Sequence, residues 1–120
     1  MASRNKARLI WMLCGWLLVI SVIYLSLTPT PPQTMADFSD KIGHFLAYAL
    51  LMAWWHQIDH NACRLALLFV LMGLLMEILQ GIGGIRHADI FDMTANTLGV
   101  GSGWFMARYL RDYSAHMLAP

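Results

Sequence analysis

The sequence predicts an all-α integral membrane protein, a four-helix bundle with both termini in the cytoplasm. Three observations carry this. Only 12% of the 120 residues are charged and 58% are hydrophobic, with a mean hydropathy of +0.54, whereas an ordinary soluble domain has about 25% charged residues. Apolar stretches at about 9–27, 42–58, 65–82 and 90–110 each approach the ~20 residues needed to cross a hydrocarbon core. With cytoplasmic termini, Arg4, Lys6, Arg8, Arg64, Arg108 and Arg111 lie inside and only Lys41 and Arg86 outside, the bias that sets membrane orientation. The four spans form a single transmembrane domain over residues 1–120 and leave no room for a soluble one. A net charge of +1 gives no bulk attraction to nucleic acid.

The first span begins basic and turns apolar. Its apolar run is too long for a signal-peptide core, and no small-x-small cleavage site follows. Trp11 and Trp16 suit the inner interface and Tyr24 the outer one. Pro29, Pro31 and Pro32 then stop the helix and force an extended outer loop. Met35 and Phe38 are expected to dip into the headgroup layer, and Ser39 or Asp40 to cap the next helix.

The second span carries DKIGHFLAY, in which Asp40, His44 and Tyr48 are spaced by four and share one helix face. Its inner end holds Trp54 and Trp55, read as an aromatic belt before a short cytoplasmic turn. His56, His60 and Cys63 resemble a metal spacing, but no partner ligand lies nearby in the chain. Cys14 and Cys63 fall on the reducing side and are read as inert thiols.

The third span is apolar until Glu77 and Gln80, which share a face near its outer end. A carboxylate at mid-span costs ~2.5–3.5 kcal/mol on insertion scales, less near an interface. Such a Glu is expected to be paired, protonated or hydrated. A glycine-rich outer loop follows. In the fourth span Asp89, Asp92 and Asn96 sit at i, i+3 and i+7, and Gly99 and Gly103 continue that face. These glycines form a small-xxx-small step, expected to pack helix four within the bundle, with a homodimer face as the alternative.

Alternating spans bring these residues together at the outer face. The expected set is Asp40, Lys41, His44, Glu77, Gln80, Arg86, Asp89, Asp92 and Asn96, with His87 beside it. Four acids oppose two bases, a formal −2 with His neutral. Two readings stay open. Pairs such as Lys41 with Asp92, or Arg86 with Asp89 or Glu77, make a salt-bridged plug that fixes helix register. The same groups also suit a water-accessible ligand pocket, the default reading of intramembrane ionisable residues. Arg86 and Lys41 could hold a phosphate. Two acids and a His could bind a divalent cation or act as general acid and base, with Glu77, Asp92 and His44 the catalytic candidates. No HExxH-like or DDxxD-like spacing occurs, so no dedicated metal site and no cofactor is expected. No Ser–His–Asp or Cys–His set lies at suitable depth for nucleophilic catalysis.

DKIGHFLAY, then EILQ, then R-x-x-D-x-x-D-x-x-x-N-x-x-G-x-x-x-G resembles the VanZ-like family of small bacterial membrane proteins. The resemblance covers Asp40 to Gly103 and carries over Asp40, Lys41, His44, Glu77, Gln80, Arg86, Asp92, Asn96 and Gly99. Asp89 and Gly103 fit less strictly. His87 and Ala88 depart from the small or polar residues expected after the Arg, and the lead-in lacks a Pro. The resemblance implies a multi-pass protein of the bacterial plasma membrane. The family's namesake is associated with low-level resistance to the glycopeptide teicoplanin. The polar site leads to an expected function as a non-enzymatic or accessory membrane protein that binds a lipid-linked or amphiphilic ligand at the outer face. The alternatives are a small hydrolase or transferase acting on a phospholipid or polyprenyl-phosphate headgroup, and a structural partner in a membrane complex. Expected partners are membrane lipids, that ligand, and a second copy or another membrane protein.

Overall fold

The computed structural model describes residues 2–28, 36–84 and 90–118, with side chains for 2–28, 41–84 and 90–110. The described residues form four helices: α1 (Ala2–Leu27), α2 (Ala36–His56), α3 (Ala62–Ile82) and α4 (Ile90–Leu118). Two of them, α1 and α3, are long and apolar enough to cross a membrane. Arg86, His87 and Asp89 lie outside the described residues, as do Pro29, Pro31, Pro32 and Met35; the Asp40 side chain is likewise not described.

One expectation is corrected. Ser39 and Asp40 do not cap α2, because the helix begins earlier, at Ala36, and both lie inside it. Acidic residues such as Asp37 and Asp40 are well placed near a helix start, where the partial positive end favours them.

The contacts define how the helices run. Trp11 and Gly15 near the start of α1 meet Trp54 and Trp55 at the end of α2, so these two are antiparallel. Near the other end, Gln80 of α3 reaches Ser26 of α1. On α2 and α4, Phe45 and Ala49 face Gly99, and Ala49 and Met52 face Gly103. Position rises together on both helices, so α2 and α4 are parallel. All four therefore alternate in direction, and the start of α1 and the end of α4 share one end of the molecule.

The α2–α4 interface is the most extensive, and its glycines explain it. A Cβ on Gly99 would run into the Phe45 carbonyl oxygen and lie 3.2 Å from the Ala49 nitrogen. One on Gly103 would run into the Ala49 carbonyl oxygen and lie 2.9 Å from Met52 Cβ. Only hydrogen at these positions allows the backbones to touch. The small-xxx-small step thus packs within the chain.

Tyr48, Leu51, Met52, Leu65, Phe69 and Val100 are buried together, with Val22 completing the core. At the turn between α2 and α3, the Asn61 side chain accepts from the Arg64 N–H (3.1 Å) and caps α3. Asp59 accepts from the Asn61 N–H (3.0 Å) and from Arg64 Nε (2.9 Å). These bonds hold its carboxyl below the usual carboxylate range, the Asn61 N–H contributing most. The indoles expected as a belt do more than mark an interface. Trp11 and Trp54 stack with ring centroids 3.9 Å apart, and each indole N–H donates to the other residue's carbonyl, at 3.3 and 2.9 Å. Cys14 and Cys63 are exposed free thiols.

Candidate functional site

The site forms where α2, α3 and α4 meet near the end opposite the chain termini. His44, Glu77 and Asp92 each turn a ligand-capable atom into it, all within 4.8 Å of one another. It is the group of this kind found among the described residues. His44 Nε2 lies 3.8 Å from Asp92 Oδ2, and Lys41 Nζ lies 3.4 Å from Asp92 Oδ1. Glu77 and Asp92 are only 4% and 5% exposed. The expected Lys41–Asp92 pair is present, while Lys41 itself keeps partial exposure at the edge of the site.

Helix periodicity builds the next layer. Stepping four residues along each helix, away from the same end, leads from His44 to Tyr48, from Glu77 back to Gly73, and from Asp92 to Asn96. These three meet: a Cβ on Gly73 would lie 3.0 Å from Asn96 Nδ2 and 3.5 Å from Tyr48 Cε1. Gly73 therefore makes room for two polar side chains beneath the charged ones. Gln80 faces the fourth helix. Its side-chain N–H donates to the Ser26 carbonyl oxygen, which belongs to the last turn of α1 and has no intrahelical donor. Gln80 thereby ties α1 to the three site helices.

The electrostatics of the trio are unfavourable on their own. Two carboxylates up to 4.8 Å apart repel by about 3–4 kcal/mol at an effective dielectric near 20. The Lys41 ammonium offsets part of this. Stability alone does not call for two carboxylates and an imidazole at three buried positions.

Among the residues expected here from the sequence, the structure brings Lys41, His44, Glu77 and Asp92 together. It sets Asn96 directly beneath and Gln80 alongside. Arg86, His87, Asp89 and the Asp40 side chain fall outside the description. Tyr48 was visible on the His44 face but not assigned to the site. Gly73 and Ser26 were not anticipated, although the four-residue step from Glu77 pointed to Gly73. The His56, His60 and Cys63 spacing does not gather a ligand set among the described residues. Instead His56 and His60 meet edge to face at 6.0 Å.

No curated protein and no solved structure matches the chain. The model of one family, VanZ/LLP1, matches residues 6–111. That span takes in α2, α3, most of α1 and α4 and every residue of the site, and the protein belongs to the VanZ/LLP1 family.

Proposed function

We propose that this protein is a four-span membrane protein of the bacterial plasma membrane, with cytoplasmic termini, that binds a lipid-linked or amphiphilic ligand at its outer face. The observation that carries the reading is the convergence of His44, Glu77 and Asp92 from three helices, with Lys41 at the rim. Polar side chains gather inside, while Leu13, Leu17, Ile20, Leu46, Leu67 and Phe105 point outward. That distribution suits lipid around the helices and a polar chamber between them. The six-to-two distribution of basic residues supports the orientation.

At the rim, Lys41 suits an anionic headgroup, and the acids beneath suit donors such as hydroxyls or ammonium. Arg86 follows α3 in the sequence and would add a second cation for phosphate. A ligand drawn from lipid-linked cell-wall precursors would link the protein to the cell envelope. It would also link it to the glycopeptide-resistance phenotype of the family's namesake. The buried Glu77–Asp92 pair beside His44 also favours a second reading, a hydrolase or transferase on a phospholipid or polyprenyl-phosphate headgroup. Glu77 and Asp92 would then act as acid and base.

Native mass spectrometry of the purified protein beside Glu77→Gln and Asp92→Asn tests the proposal. A lipid retained by the parent and lost from both variants supports it. Equal spectra from all three, with lower thermal stability in the variants, would replace it with a structural plug. Turnover of the retained lipid by the parent alone would select the enzymatic reading. Labelling of a cysteine placed in the 81–86 connection only from the cytoplasm would move the site to the other face.

A further inference from the structure

We propose that His44, Glu77 and Asp92 form a binding site for one divalent metal ion of the zinc class. The inference concerns the same cluster as the ligand reading but stands without it, because it is tested with the metal alone.

The donor set selects the class of ion. One imidazole and two carboxylates match first-row divalent metals, where a neutral ring nitrogen is a good ligand. A calcium site would need six to eight oxygens. Three protein ligands with a fourth position open is the arrangement of zinc sites that act on something, as opposed to closed structural ones. The geometry lies close to what zinc requires. Bonds of ~2.0–2.1 Å in a tetrahedron place ligand atoms about 3.3 Å apart. His44 Nε2 and Asp92 Oδ2 are 3.8 Å apart, and all three atoms lie within 4.8 Å. Small side-chain rotations close that gap.

The layer beneath supplies an independent observation. Tyr48 and Asn96 are 1% and 2% exposed. The Tyr48 hydroxyl and Asn96 Oδ1 have no hydrogen-bond partner among the described residues, and Tyr48 lies in the field of Glu77. Buried polar oxygens are almost always satisfied. An ion in the layer above, with the water it carries, gives both oxygens the partner they otherwise lack.

The test begins with chelator-treated full-length protein in detergent, titrated with zinc chloride and read by native mass spectrometry. One zinc per chain is expected, with affinity at least ten-fold weaker in Glu77→Gln and Asp92→Asn and unchanged in Cys14→Ser/Cys63→Ser. Cobalt in place of zinc should give visible ligand-field bands without thiolate charge transfer. Lys41→Gln keeps all three ligands and removes the cation paired with Asp92, so it should bind zinc more tightly than the parent. No stoichiometric zinc on the folded parent overturns the proposal. So does zinc that survives both carboxylate substitutions or disappears with Cys63. A lipid retained by a chain that takes no zinc would remove this inference and leave the ligand reading standing. Zinc bound stoichiometrically with no lipid retained would do the reverse.

Discussion

Lys41 Nζ sits 3.4 Å from Asp92 Oδ1, joining the two parallel helices at the rim of the buried trio. The pair is lopsided, since Asp92 is buried and Lys41 is partly exposed. Removing the cation leaves negative charge concentrated in a poorly solvated place, the costly way to break such a pair. Lys41→Gln is therefore expected to destabilise the metal-free protein by about 1–2 kcal/mol, below the buried-pair range because Lys41 reaches solvent. Thermal melts in detergent measure this. Added zinc should raise the melting temperature of Lys41→Gln more than that of the parent.

Gly99 and Gly103 set the α2–α4 separation, while a Cβ on Gly101 meets nothing within 4 Å. Gly99→Ala and Gly103→Ala should each destabilise by about 1–3 kcal/mol, because rigid backbone has to move. Gly101→Ala should be neutral or stabilising by up to about 1 kcal/mol through helix propensity. The three melting temperatures, compared side by side, check that order. An equal loss from all three would mean that close approach is not what these glycines provide.

Trp11 and Trp54 exchange hydrogen bonds across a stacked pair of rings. Trp54→Phe keeps a stacking ring and removes one donor, and is expected to cost about 0.5–1.5 kcal/mol. Trp54→Ala loses the ring as well and should cost about 3–5 kcal/mol. A plain interfacial belt would show no such gap between the two variants in denaturant or thermal unfolding.

Asp59 provides a pH test outside the helices. Its carboxyl is held below the usual range in the folded chain, through the Asn61 N–H first and Arg64 after it. A depressed folded value means that the stabilisation is present above the unfolded value, about 3.9. It is lost as pH falls through the lower folded value. Asp59→Ala should therefore melt below the parent at pH 7, with the difference shrinking as pH drops beneath the ordinary carboxylate range. A difference that is constant with pH would assign Asp59 a role independent of its charge.

Much of this was legible in the sequence, for physical reasons that differ by element. Helices α1 and α3 stand out because their apolar runs are nearly continuous. The other pair, α2 and α4, is less apolar because His44, Tyr48, Asp92 and Asn96 are spent on the inward face. The depth of Glu77 below its helix end was readable from the rise per residue. The role of the tryptophans was not, because an indole near an interface has the same sequence signature whether it meets lipid or another helix. The start of α2 was misplaced for a similar reason: Ser39 and Asp40 have the chemistry of caps, and residues of that kind also occur within a first turn. The grouping of His44, Glu77 and Asp92 was readable only through the alternating spans, because its three side chains come from three helices and no short motif records such a set.

The most direct measurement is lipid retention by metal-free Glu77→Gln against the parent, read by native mass spectrometry with the melting temperature alongside. A folded variant that loses the lipid carried by the parent is the expected result. The same lipid on both, with the variant's melting temperature lower by several degrees, would mean that Glu77 holds the helices together, and would contradict the account of this cluster as a binding site.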